Sequence, residues 1–312
     1  MTRLGRSVLV GTTFAVAFGV LTPAVTAGEL EDIITHASEA TYNATRVTKS
    51  VWGDQIEVTD QLVEHWSGGE LVRTNLSWTV SGNGRLVSMG EVPSGLVFLT
   101  AKTTPEIQRY EVGDVTTVKH MHRSALRVEV MEGDLKRATL IVDERSGAVL
   151  LSETFNGQGR VFRTVSLSEF KPYRMYPEPE EMSSVPVQVI MHSNSDLLPN
   201  ELAGYQIVDV FPGPGGSEQG FYSDGLFGFS VFAISKRTTI EGFADSMALV
   251  TDDGLYEMVP TAQDVRIRWA DKDRNYVLVG DIPPDHLEEI LTVLPAPGRD
   301  SMLKIWWRKL FG

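Results

Sequence analysis

Few residues in this sequence are placed by type and spacing to do chemistry. His120 and His122 stand two apart, so on a strand both side chains would leave one face and could share a metal ion. No third ligand is near them, and Lys119 and Arg123 flank the pair as they would on a solvated strand edge. Asp252-Asp253-Gly254 looks like part of a calcium loop, but the alternating acids and closing glutamate of such a loop are missing, which leaves a turn. No GxSxG elbow, HExxH helix, GxGxxG or GxxxxGK[ST] string occurs. The chain has no cysteine, which excludes disulfides, thiolate metal ligands, a cysteine nucleophile and an acylated lipoprotein cysteine. The sequence therefore reads as a protein that is not an enzyme, with no catalytic residue, metal or cofactor to assign. A hydrolytic carboxylate pair, invisible in one sequence, is the enzyme class left open.

What the sequence offers instead is contact surface. Tyr222, Phe227, Phe229 and Phe232 crowd around Leu226, and the cluster reads either as a core strand pair or as an aromatic docking surface presented by the turn at Asp224-Gly225. Leu126, Val128 and Val130 alternate with Arg127 and Glu129, the period of a sheet with one covered and one wet face. With Trp66, Trp78 and Phe98 they are the candidate lining for a lipid-like ligand. Near the C-terminus, Leu303, Trp306, Trp307 and Leu310 recur at i, i+3, i+4 and i+7, with Lys304 and Arg308 on the other side. This is the pattern of an interfacial helix that touches a membrane through Leu303, Trp306, Trp307 and Arg308, or of a helix docked on the protein itself.

The working compartment follows from the N-terminus. Arg3 and Arg6 precede an apolar run over residues 8–21, followed by Pro23 and the small-residue site Val25-Thr26-Ala27, the layout of an export signal over residues 1–27. As a helix the run spans about 21 Å, short of the ~30 Å hydrocarbon core. The alternative is an uncleaved anchor. Cleavage would remove two arginines and no acid, taking the net charge from −13 to −15. Such a field repels nucleic-acid phosphates, so nucleic acid is not an expected partner. Cytosolic cofactors such as ATP and NAD are equally out of place. The expected locale is periplasmic or otherwise extracytoplasmic, against the outer face of the cytoplasmic membrane if the tail binds there.

These features must be positioned mostly by strands. An amphipathic helix over residues 29–40 places Leu30, Ile33, Ile34 and Ala37 on one face. Two or three antiparallel strands follow to Leu76, with reversals at Gly53-Asp54 and Ser67-Gly68-Gly69. Hairpins then turn at Gly133-Asp134, at residues 143–147 and at residues 156–159. Four prolines among glutamates over residues 171–186 mark a linker. Beyond it, residues 187–297 read as a smaller unit of antiparallel strands closed by a helix opening at Pro283-Pro284. The predicted fold class is α+β: a half-barrel sheet with a helix over residues 28–170, the linker, the smaller sheet domain, and a cationic tail over residues 298–312.

The residues also resemble a known family. The run from Ile141 through Asp143-Glu144-Arg145-Ser146-Gly147 to Gly159 and Phe170 is similar to the D-x-x-x-G-L-L meander of lipoprotein-carrier-like proteins. Leu198-Pro199, Gly204-Tyr205 and above all Tyr222-Ser223-Asp224-Gly225-Leu226 through Phe232 resemble the C-terminal signature of the RseB/MucB family, as does Val277 to Pro284 its closing turn. The region around Trp52, Trp66 and Trp78 fits only loosely, and the cationic tail is not part of the pattern. The resemblance implies an exported envelope-stress regulator. It would bind the extracytoplasmic part of a membrane-spanning anti-sigma factor through the region of Tyr222, Asp224, Phe227 and Phe229, and sense a lipid-like ligand in its half-barrel. The alternative it leaves is a lipid or lipoprotein carrier of the envelope without a signalling role.

Overall fold

The computed structural model describes residues 27–67, 69–81, 86–91, 96–99, 109–173, 195–244 and 246–298. The export signal, most of the linker, the strand expected over residues 187–192 and the tail from residue 299, with Leu303, Trp306, Trp307 and Arg308, lie outside the described residues.

Helix α1 (Ala27–Glu39) is the first described element, with Leu30 fully buried and Ile33 and Ile34 packed on the same cluster. The apolar stripe read from the sequence is thus the stripe that docks. Ten strands follow: β1 (Tyr42–Trp52), β2 (Gln55–Trp66), β3 (Gly69–Ser81), β4 (Leu86–Glu91), β5 (Leu96–Leu99), β6 (Glu111–His120), β7 (Arg123–Glu132), β8 (Leu135–Asp143), β9 (Val149–Phe155) and β10 (Val161–Pro172). They form one antiparallel sheet in the order β4-β3-β2-β1-β10-β9-β8-β7-β6, with β5 added on β3. Two meanders are therefore zipped together where β1 meets β10. Gly53 and Gly133 hold the left-handed φ values, +58° and +56°, that their two-residue turns require.

The second sheet contains β11 (Glu201–Leu202), β12 (Tyr205–Gly213), β13 (Ser217–Ser223), β14 (Gly228–Ser235), β15 (Met247–Thr251), β16 (Gly254–Pro260), β17 (Val265–Ala270) and β18 (Arg274–Asp281). Their order is β11-β12-β13-β14-β18-β17-β16-β15, again antiparallel throughout. Gly280 on β18 lets that strand lie against β14, because a Cβ there would overlap the Cβ of Phe229. Helix α2 (Pro284–Val293) starts with proline where no N–H is needed and buries His286, Leu287, Ile290 and Leu291. Among the described residues neither sheet closes on itself. One apolar cluster runs from Leu30, Val128 and Leu140 in the first to Tyr205, Phe229 and Ile290 in the second. The molecule is a helix-poor α+β structure built on two open sheets.

One reading changes at the turns. His120 is the last residue of β6, while Met121 and His122 form the β6–β7 reversal with φ of +51° and +61°. The histidines therefore do not share a strand face as the spacing alone suggested. Asp252 and Asp253 make the β15–β16 turn, as expected.

Candidate functional site: the joint between the two sheets

One face of the first sheet can be followed across its ladder through the pairs Val128–Leu140, Leu140–Ser152, Ser152–Val165, Val165–Thr48 and Thr48–Thr59. At the β7–β8 end this face is apolar. Val128 and Val130 are fully buried there with Ala138, Leu140 and Val142, in the cluster that holds Leu30 of α1, and Leu126 packs at its margin. Toward β1 and β2 the same face turns polar: Thr48, Ser50, Thr59 and Gln61 are buried, and Arg46 donates to Gln61 Oε1 at 2.9 and 2.6 Å and to Glu70 at 2.6 Å. The candidate lipid lining is thus only partly assembled. Leu126, Val128 and Val130 sit together in the cluster that also holds Leu30. Trp66 lies one residue off the row of His65, whose ring stacks on Tyr42 at 4.9 Å, and so belongs to the opposite face. The backbones of Trp78 and Phe98 pair with Val58 and Glu70, and their side chains lie outside what the structure describes.

The aromatic turn is inserted between the sheets. Tyr222 and Phe229 are buried and stacked at 5.2 Å, and the Tyr222 hydroxyl donates to the carbonyl of Pro199 at 2.6 Å. Asp224 Oδ1 accepts from the backbone N–H groups of Leu226 (3.0 Å) and Phe227 (2.8 Å), an Asx turn that fixes the reversal between β13 and β14. Its other oxygen accepts from the hydroxyl of Tyr110, at 2.5 Å, across the joint. Phe227 lies edge-on to both Tyr110 and His286, at 6.0 and 6.1 Å. Tyr222, Asp224, Phe227 and Phe229 are all at most 6 % exposed. They are positioned to support a surface, and in this arrangement they are not themselves that surface.

Around the turn runs a polar network that the sequence reading missed. Glu132, at the end of β7, pairs through one carboxylate oxygen with Arg109 and through the other with Arg137 Nε at 2.5 Å. Arg137 reaches on to Asp285 of α2 at 2.7 Å, and Asp285 also accepts from the Gly157 N–H at 2.8 Å. Arg109 donates to the carbonyl of Ala203 at 2.9 Å. His286, fully buried, stands in the middle. Its Nδ1 is 2.7 Å from the Tyr205 hydroxyl, and its Nε2 lies between Arg109 Nη2 at 3.1 Å and Glu132 Oε2 at 3.2 Å. Burial and then the two guanidiniums hold His286 below the usual imidazole range. For Glu132, burial alone would favour the neutral acid, but the hydrogen bonds from Arg109 and Arg137 win and keep it below the usual carboxylate range. Burial first, then the Asp224 charge, push the Tyr110 phenol far up, so it remains a hydrogen-bond donor.

A second tie crosses the joint near the end of β18. Ser50 donates to the carbonyl of Ala262 at 2.5 Å and accepts from Arg163 Nε at 2.8 Å, while the Arg163 guanidinium pairs with Asp281. The geometry holds the two sheets together through hydrogen bonds and ion pairs around a shared apolar cluster. Among the described residues it brings no three metal-ligating side chains together.

No family model matches the sequence, and no curated protein matches it either. Solved structures do. The chain is similar to MucB, with 17% identity and a TM-score of 0.46 over 85% of this chain and 95% of that one. It is also similar to a chain of the Pseudomonas aeruginosa MucA/MucB complex, with 16% identity and a TM-score of 0.45 over 85% and 96%. A LolA superfamily protein from Nitrosomonas europaea matches at 9% identity and a TM-score of 0.20, over 83% and 93%.

Proposed function

We propose that this chain is an RseB/MucB-type regulator that binds the extracytoplasmic part of a membrane-spanning anti-sigma factor and responds to a lipid-like ligand. The observation that carries the reading is the seating of the family-like string from Tyr222 to Phe232: its turn is bonded into the first sheet through Asp224 and Tyr110. The string then has a mechanical role. It fixes the second sheet relative to the first, and a partner contacting both would read that relation. Residues 28–170 and 187–297 are the two units in this proposal, with the first sheet curled as a half-barrel around α1.

The ligand would enter beside Val128 and Val130, in the apolar cluster that also takes Leu30 of α1, so apolar chains and the helix would compete for one surface. Export places that surface among lipids, and the tail from residue 299 supplies a membrane contact. Titration calorimetry of the mature chain with the extracytoplasmic segment of the anti-sigma factor from the same cell is the test. Saturable binding that weakens when a lipid extract is added supports the regulator. Absence of binding, with lipid co-purifying from the envelope, would leave the carrier role and overturn the regulatory one.

A further inference from the structure

The β9–β10 turn, residues 156–160, docks the first sheet on α2 and begins with an asparagine followed by a glycine. Asn156 Oδ1 accepts from the backbone N–H groups of Gln158 (3.1 Å) and Arg160 (3.0 Å), while its own N–H donates to the Arg160 carbonyl at 3.0 Å. The side chain thereby closes the turn, as asparagine does where strands reverse. Gly157 lies against Asp285. A Cβ there would come 2.8 Å from Oδ2 and 3.0 Å from Cγ, so a larger residue would push the carboxylate off its bonds. Docking thus calls for the dipeptide whose backbone nitrogen most easily reaches the preceding side-chain amide, because no Cβ at residue 157 hinders the approach. Both residues are half-buried, so water has access to them.

We propose that Asn156 is a latent modification site: its side-chain amide converts to aspartate or isoaspartate, and the hydrogen bond from the Gly157 N–H to Asp285 Oδ1, at 2.8 Å, restrains the reaction while the joint is closed. In the reaction the Gly157 nitrogen gives up its proton to solvent base and attacks Asn156 Cγ. The new C–N bond closes a five-membered imide, the bond to Nδ2 breaks, and Nδ2 takes a proton from water and leaves as ammonia. Water then opens the imide, at the Cγ–N bond to leave aspartate, or at the original peptide bond to leave isoaspartate with the chain running through Cγ. Asparagine and water become the acid and ammonia, with no change of oxidation state.

Asp285 opposes the first step. One carboxylate oxygen engages the N–H that must be lost, and the other is held by Arg137 Nη1 at 2.7 Å. Burial alone would raise the Asp285 pKa, but the hydrogen bonds from Arg137 and the Gly157 N–H hold it below the usual carboxylate range, so it is too weak a base to take the amide proton itself. Its bond instead keeps the turn in one arrangement, with Asn156 Oδ1 already occupied by two other amides. Conversion sets a new carboxylate beside the residue that Asp285 holds, and isoaspartate also lengthens the turn backbone by one atom. Each works against the docking of α2. A molecule whose joint has stayed apart is thereby marked, and the mark disfavours closing again.

The test is peptide mapping by mass spectrometry, with isoaspartate quantified enzymatically, after storage of the mature chain in warm, mildly alkaline buffer. Asp285→Ala should raise the rate at Asn156 by about tenfold or more, the factor carried by a hydrogen bond to a charged group, toward the rate in a synthetic peptide of residues 152–160. Asp285→Asn, which keeps an acceptor for the Gly157 N–H, should retain most of the protection. Leu287→Ala hollows the buried side of α2 and leaves Asp285 in place, so it separates this lock from general loosening and should stay near the native rate. Equal rates in the native protein and Asp285→Ala overturn the inference, as does an acceleration by Leu287→Ala that matches the one by Asp285→Ala.

Discussion

His286 should make the joint sensitive to mild acid. The imidazole is fully buried with Arg109 Nη2 3.1 Å away, Arg137 close by, and Glu132, Asp285 and the Tyr205 hydroxyl as its other polar neighbours. Its folded-state pKa is lowered, so the unfolded chain, with an imidazole near 6.5, binds the proton first as pH falls. Stability is therefore complete above the unfolded value and declines as pH drops below it, until the folded-state value is reached. For one proton the slope approaches about 1.4 kcal/mol per pH unit, so going from about pH 7 to about pH 5.5 costs at most ~1.3 kcal/mol. Glu132 and Asp285, both held below the usual carboxylate range, lose their contributions at lower pH, outside this window. Urea unfolding of the native protein and of His286→Gln at both pH values isolates the effect, because the other histidines are common to both. The native protein should lose up to ~1.3 kcal/mol more than the variant, whatever the variant's own offset. Equal losses would refute the placement of a neutral His286 between the arginines.

Other perturbations read other contacts. Tyr110→Phe removes the donor to a buried Asp224 carboxylate and should cost about 1.5–3 kcal/mol in urea unfolding, with the fold retained by circular dichroism. Gly280→Ala puts a Cβ 2.6 Å from the Phe229 Cα; with backbone on both sides of the clash, β14 and β18 must separate, and a loss of about 1–3 kcal/mol or more is expected by the same assay. Val128→Asp places an unpaired charge in the apolar cluster and should both destabilise the first sheet and abolish any lipid carried by the native protein in native mass spectrometry. A variant that keeps its lipid would show that the ligand does not use this face.

Much of the fold was legible because its signals are local. The turn signals at Gly133-Asp134, residues 143–147 and residues 156–159 placed the reversals between β7, β8, β9 and β10, and the i, i+3, i+4 stripe gave α1. The joint was not legible, because its bonds connect residues far apart in the chain: His286 with Arg109, Glu132 with His286, Tyr110 with Asp224. One local clue existed. His286 is four residues before Ile290 and so falls on the buried stripe of α2, where an imidazole needs a partner. The aromatic string was read as core or contact surface. Nothing in the string itself could show that Asp224 would be buried beside it, because the group that satisfies it is a tyrosine more than a hundred residues upstream.

The arginine at the second tie sets how firmly the sheets are held together. Arg163 is 2% exposed and burial brings its guanidinium pKa down to about 10, while its ion-pair partner Asp281 is half exposed. Enclosing a charge costs several kcal/mol of hydration, which its pairing offsets only in part. When the sheets part, that hydration is regained at the same moment as apolar surface is lost to water, and the two offset each other. Arg163 thus subtracts from the stability of the joint, so any partner or ligand that prefers the sheets apart has less to overcome at this tie.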